Sequence, residues 1–257
     1  MATPGLSTLR CGGNTPCVEV RCGERLIVLD AGTGIRELGI QLEQEGVTEL
    51  DLLISHCHMD HLQGFPFFSP AYDPATRINV YLAQPGVHPI HKLMEEPYFP
   101  VPFEALGADI RFNEMNGKCR LGEVQVRSHP LNHPGGSIAY RLEYAGKSVI
   151  YFTDHEPYGG PRDGPVRDFT IGADLLIREA QYTNAEYELK HGWGHSRFDD
   201  AVSDAIAARV KTLALFHHDP QHDDRFLERQ LSELRSRYAS SALEICLARE
   251  GQSIELA

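Results

Sequence analysis

Positive charge is scarce in this chain: 24 Lys plus Arg stand against 36 Asp plus Glu, a formal net charge of −12 over 257 residues. No basic block is longer than two residues. Phosphate backbones are bound chiefly through clustered Lys and Arg, so nucleic acid is not an expected partner, whereas small anions are. Cys11, Cys17, Cys22, Cys57, Cys119 and Cys246 form no CxxC pair, which argues against a disulfide framework or zinc ribbon. They read as reduced thiols, mostly core fillers. No run approaches the roughly 18 apolar residues of a membrane span, and the N-terminus lacks the basic-then-apolar order of a signal peptide. A cytoplasmic protein with no membrane partner is expected. No repeat, low-complexity tract or linker interrupts the pattern, so residues 1–257 are expected to form a single domain.

Short β-type runs recur at Leu26 to Leu29, Leu52 to Ser55, Ile78 to Leu82, Val124 to Arg127, Ile138 to Tyr144, Ser148 to Thr153, Leu175 to Ile177, Leu213 to Phe216 and Leu243 to Leu247. Helical faces are marked by Ile35, Leu38 and Leu42; by Phe198, Val202, Ala205, Ile206 and Val210; and by Phe226, Leu227, Leu231 and Leu234. Ser196 and Asp199 read as a capping box for the second helix. The fold class is mixed α/β. Asp30, His56, Asp154, Glu179 and His217 each lie at or just beyond the end of a predicted strand, and α/β proteins gather ligand sites at the carboxyl ends of strands.

The densest chemistry is the run HCHMDH, which places His56, His58, Asp60 and His61 directly after a strand. Imidazoles and a carboxylate at this spacing suit two divalent metal ions, and a two-metal hydrolase needs about seven ligands, one of them a bridging carboxylate. The assignment is His56, His58 and His133 on one metal, Asp60, His61 and His217 on the other, with Asp154 bridging. A metal-bridging hydroxide would be the nucleophile. His133 is preferred to His129 because it leads into a strand, and His217 to His218 because it leaves one directly. His88, His91, His155, His191 and His222 read as surface or supporting histidines.

These motifs resemble the metallo-β-lactamase superfamily, specifically its branch of ribonuclease Z and small-molecule phosphodiesterases. The resemblance runs through GGNTPCVEV, LDAGTG, HCHMDHLQGFPFF, NHPGGSIAYRLE, FTDHE, REAQY, GWGHS and LFHHDP, nearly the whole chain. It implies an αβ/βα four-layer sandwich, two Zn2+ ions with Mn2+ as the alternative, and a homodimer. His195 in GHS resembles the histidine that protonates the leaving oxygen, and Glu179 in REAQY the glutamate that orients it; with Asp60 they are the candidate catalytic residues. A carboxylate beside an imidazole favours its protonated form, as a general acid requires. Asp30 reads as structural, bracing the glycine-rich loop.

Only 20 residues separate His133 from Asp154, where ribonuclease Z usually carries a long arm for transfer RNA. The resemblance therefore implies a small phosphodiester substrate, with cyclic nucleotides first. Phe65, Phe67, Phe68, Tyr98, Phe99 and Phe103 are available to stack on a base, at least half of them being expected in the core. Phe67, Phe68 and Ser196 are the candidate substrate contacts. The apolar first strand usual in relatives is absent before CGGNTP, and the expectation is either a shortened gene start or a sheet edge completed otherwise, as by a partner subunit. Three other readings compete: an RNA 3′-processing endonuclease, a lactonase or thioesterase, and a non-catalytic metal-binding module.

Overall fold

The computed structural model describes residues 1–83 and 89–256. They fall into two compact units, Met1–Ala2 with Asn14–Asn116, and Thr3–Gly13 with Gly117–Ala257. His88 lies outside the described residues.

In unit 1, β1 (Val18–Cys22), β2 (Arg25–Leu29), β3 (Glu49–Leu53), β4 (Arg77–Leu82) and β5 (Asp109–Glu114) form a sheet in sequence order. β1 is antiparallel to β2 and the remaining pairs are parallel. β2 and β3 are almost wholly buried, as inner strands of a largely parallel sheet are, with Asp51 among the buried residues. Helix α1 (Ile35–Glu45) buries Ile35, Gly39 and Leu42 and stops at Gly46, whose left-handed backbone lets its N–H reach the carbonyls of Leu42 and Glu43. Leu38 packs against the same core from a half-buried position. A short helix, α2 (Pro89–Leu93), follows β4.

Unit 2 carries a seven-stranded sheet of β6 (Lys118–Leu121), β7 (Val124–Leu131), β8 (Ser137–Tyr144), β9 (Lys147–Phe152), β10 (Leu175–Glu179), β11 (Thr212–Phe216) and β12 (Glu244–Leu247), again in sequence order. β6 to β9 run antiparallel and β9 to β12 parallel. β8 and β9 are joined by Ala145 and Gly146, both at positive φ, the backbone of a tight hairpin turn. Helices α3 (Asp163–Phe169), α4 (Asn184–Lys190), α5 (Phe198–Ala207) and α6 (Asp224–Arg237) lie between or after the parallel strands. Phe198, Val202, Ala205, Leu227 and Leu234 enter the core, with Ile206, Phe226 and Leu231 half-buried against it.

Register explains why chemistry collects at strand ends. Phe152 pairs with Arg178, Arg178 with Leu215, and Glu179 with Phe216, so Asp154, Glu179 and His217 leave the sheet at nearly one level. In unit 1, Leu29 pairs with Leu53, which brings Asp30 level with the segment leading to His56.

Some sequence-based expectations change. The cap of α5 is Arg197, not Ser196: the Arg197 N–H meets Asp200 Oδ2 at 3.1 Å and its guanidinium pairs with the same carboxylate, because the Ser196 hydroxyl is engaged elsewhere. β3 stops before Ser55, whose N–H is claimed by Asp30. Residues 1–17 hold no strand. Part of this segment is tied to unit 2, where Asp224 accepts the N–H groups of Arg10 and Cys11 at 2.8 and 2.9 Å. All six cysteines are free, but only Cys11 lies in the core and Cys17 against it; Cys57 is exposed.

Candidate metal centre

The donors of unit 1 sit on the loop and 3-10 turn after β3. The rings of His56 and His61 lie tilted to one another at a centroid distance of 4.2 Å, and His58 meets His56 edge-on at 4.6 Å. Asp60 Oδ2 lies 3.6 Å from His61 Nε2. Asp30, fully buried, organises them. Its carboxylate accepts the Ser55 N–H and hydroxyl, both at 2.7 Å, and lies 2.7 Å from His61 Nδ1. Because the Ser55 proton is spent on Asp30, His56 Nδ1, 3.1 Å from Ser55 Oγ, is the donor of that contact. Asp30 was expected to brace the glycine-rich loop, yet its carboxylate braces a histidine and a serine. The glycine-rich loop is instead held by close backbone approach: a Cβ on Gly64 would come within 2.0 Å of the Gly32 carbonyl oxygen.

The donors of unit 2 converge from separate segments. Asp154 presents Oδ2 to His133 Nε2 and Oδ1 to His217 Nε2, each at 3.4 Å, so one carboxylate stands between two imidazoles. His133 Nδ1 donates to the Gly194 carbonyl at 2.8 Å, and the Gln181 amide lies 2.7 Å from His217 Nδ1. Asp154, His195 and His217 offer ligand atoms within 4.8 Å of one another. Neither rival histidine belongs to these donor groups. His129 stacks on Phe169 at 5.3 Å, and burial lowers its pKa; burial, then His217 and His222, drive His218 down to about 3.

His195 Nδ1 lies 3.6 Å from Glu179 Oε2 and 4.0 Å from Asp154 Oδ2. Glu179 is locked by its other oxygen, which accepts the Ser196 N–H at 2.6 Å, the Ser196 hydroxyl at 2.9 Å and the His155 N–H at 3.2 Å. Ser196 is fully buried, and its hydroxyl also lies 2.6 Å from the His155 carbonyl, so it fastens the site and is not free to contact substrate. The His155 Nδ1 accepts the Asn132 N–H; burial, with Arg178 next, pushes its pKa to about 3 and keeps the ring neutral.

Phe68 is likewise corrected: it is fully buried in the unit 1 core with Phe65 and offers no face to a ligand. Phe67 is exposed and meets Phe99 edge-on at 5.5 Å. His91 lies against Phe103, the rings tilted at 3.8 Å, and His222 is buried against Phe226 and bonds Glu186 at 2.7 Å. His191 is exposed, 3.6 Å from Glu156. Glu156 itself escaped the sequence reading. The only signal was its place in FTDHE, where a carboxylate two residues past Asp154 is not distinguished from a surface one.

The donor set fits divalent metal. Nδ1 of His56, His61 and His133 faces a serine, a carboxylate and a carbonyl, outer partners of the kind that orient metal-binding histidines, while His217 Nδ1 faces the Gln181 amide. Asp30, Asp154 and His217 all leave their strands in the left-handed backbone region, at φ of 62°, 55° and 52°.

A family model described as a β-lactamase superfamily domain matches residues 25–218. The chain belongs to the metallo-β-lactamase superfamily. It is a metal-dependent hydrolase of that superfamily with a His/Asp cluster able to bind metal ions. It is 22% identical over 290 residues to a protein named ribonuclease Z from Pyrococcus furiosus, covering 91% of this chain and 86% of that one. A diphosphatase from the PhnP family shares the fold with a TM-score of 0.67 at 20% identity, covering 95% of this chain and 85% of the other. The short form of human tRNase Z gives 0.65 at 19% identity, covering 100% and 97%. Among the described residues, no helix is long and apolar enough to cross a membrane.

Proposed function

We propose that this metallo-β-lactamase superfamily member is a binuclear metal-dependent phosphodiesterase acting on small phosphodiesters, with cyclic nucleotides as the first substrate class. In this reading residues 1–257 act as one domain. His56, His58 and His133 hold one cation, Asp60, His61 and His217 the other, and Asp154 serves both; zinc is expected, with manganese the alternative. Two bound divalent cations supply Lewis-acid polarisation of phosphoryl oxygens and lower the pKa of water. His195 donates its proton to the departing sugar oxygen, and Glu179 holds it in the orientation and charge state for that task.

The observation that carries the reading is the pair of His195 and Glu179 beside Asp154, at 3.6 and 4.0 Å from His195 Nδ1. Esters and lactones with activated leaving groups need no such acid. The span between His133 and Asp154 is occupied by a short loop and the hairpin of β8 and β9, which supports a small substrate over a transfer RNA precursor. A second reading, RNA 3′ processing, is favoured by the ribonuclease Z relatives. A cytoplasmic homodimer completes the first reading, and sedimentation and fractionation check it.

The test is metal analysis combined with turnover of 3′,5′-cyclic nucleotides, 2′,3′-cyclic nucleotides, a bis-aryl phosphate, a transfer RNA precursor and an ester panel. The expected result is about two metals per chain and hydrolysis of a cyclic nucleotide. Cleavage of the RNA precursor alone transfers the assignment to the second reading, and purified protein without metal after growth in zinc and manganese overturns both.

A further inference from the structure

Glu156 is a buried carboxylate that takes no part in the ligand set or the proton transfer proposed above, yet three chain segments meet on it. Its Oε1 accepts the Tyr187 hydroxyl and the Gly192 N–H, and its Oε2 accepts the Gly194 N–H, all at 2.8 Å. Its backbone is paired with Asn132: the Glu156 N–H meets the Asn132 carbonyl, and Asn132 Nδ2 donates to the Glu156 carbonyl, again at 2.8 Å. Asn132 precedes His133. Gly194, gripped through its N–H by Glu156, accepts from His133 Nδ1 through its carbonyl at 2.8 Å and precedes His195. The contact is close: a Cβ on Gly194 would come within 2.3 Å of His133 Nδ1.

A loop with glycines at 192 and 194, both at positive φ, would otherwise be free to wander. We infer that Glu156 is a positioning residue for this site: through the N–H groups of Gly192 and Gly194 it fixes the His195 loop and, through the Gly194 carbonyl, the orientation of His133. The role rests on the phosphodiesterase reading in so far as His195 is the acid being positioned. Charge matters as well as shape. A carboxylate accepts from all three donors, whereas a carboxamide must turn its NH2 toward one of them and lose that bond.

The experiment compares E156Q and Y187F with the unaltered, metal-loaded chain on two substrates. A bis-aryl phosphate expels a stable phenolate and needs little acid assistance; a cyclic nucleotide expels an alkoxide and needs it. E156Q is expected to slow the cyclic nucleotide by roughly 10- to 100-fold, part of the range that general acid catalysis supplies, and the bis-aryl phosphate far less. Y187F removes one donor and should lower the same ratio by a smaller factor. Trp193, the single tryptophan, is exposed and lies between the two glycines, so its fluorescence anisotropy reports loop order with no substrate present. It should fall in E156Q.

Equal slowing of both substrates at unchanged metal content, or unchanged anisotropy, overturns the inference. If E156Q does not fold, the Y187F ratio decides. If the unaltered protein cleaves neither substrate, the phosphodiesterase reading fails by itself, and the anisotropy of the variants still decides whether Glu156 orders the loop.

Discussion

Unit 1 draws its donors from one run, residues 56–61, and steadies them with a single buried carboxylate, Asp30. Unit 2 draws His133, Asp154, His195 and His217 from four segments and needs a supporting group for nearly every one: Gly194 for His133, Gln181 for His217, Glu179 for His195 and Glu156 for the loop itself. A contiguous motif inherits its geometry from local backbone turns. A dispersed one must be assembled by register and by buried polar contacts, so it concentrates charge in its own interior. Arg178, inside β10 next to Glu179, shows the cost: it is 2% exposed and depends on Asp204 at 2.9 Å and on the face of Phe152 at 4.6 Å.

The sharpest division between the units is expected at His195. H195A should slow substrates with alkoxide leaving groups by about 10²- to 10⁴-fold while metal content stays full, whereas H56A in unit 1 should lose metal outright; parallel kinetics and metal analysis separate the two. Next comes Arg178. Asp204→Ala leaves a buried cation without its carboxylate and should cost about 3 kcal/mol, reduced from the fully buried case because Asp204 is partly exposed, as read by urea denaturation. Third, Asp30→Ala removes the support of two imidazole-bearing positions and Gln181→Ala that of one. Metal titration should show losses of roughly 10- to 100-fold, the larger for Asp30. Equal losses would mean the units are not organised differently.

The smallest expected effect is on acid sensitivity. Burial raises the Glu156 carboxyl, but the Gly192 and Gly194 N–H groups and the Tyr187 hydroxyl outweigh it and hold it below the usual range. In Asp224, burial is likewise outweighed by the N–H groups of Arg10 and Cys11. A carboxyl depressed in the folded state contributes stability above its unfolded pKa, and that contribution is lost as pH falls through the folded value. Asp51 in unit 1 has the opposite sign: burial, only partly offset by Arg25, raises it, so acidification relieves a penalty there. Hydrogen exchange followed from neutrality to about pH 4 should therefore show protection falling first in unit 2.

The same contrast governs how far the sequence could be read. β2, β3, β4 and β8 to β12 were visible because their runs are apolar and bounded by turn residues, and β7 over its first half, Val124 to Arg127, from its alternating valines. β1, β5 and β6 were missed because their residues are mostly exposed or half-buried, leaving little apolar run to detect. α2, α3 and α4 are too short to show a stripe. HCHMDH was plain as a string, and the choices of His133 and His217 followed from strand ends. Phe68 and Ser196 were misread because a phenylalanine in an aromatic run and a serine beside a candidate acid look alike whether they face solvent or the interior. Glu156 was overlooked because its importance lies in backbone N–H groups contributed from residues 192 and 194, which no residue type advertises.

The positive φ of Asp30, Asp154 and His217 restricts what each site tolerates. Aspartate, asparagine and histidine occupy that region more readily than other side chains, and a β-branched residue scarcely does. Chain geometry thus narrows what each place accepts, so laboratory evolution of the proposed metal centre has a short menu at 154 and 217. Exchanging carboxylate for imidazole keeps the bend, whereas introducing valine or threonine would distort the main chain before any change in coordination could be measured. Asparagine is accordingly the informative replacement at 154, since it removes the charge and leaves the turn intact.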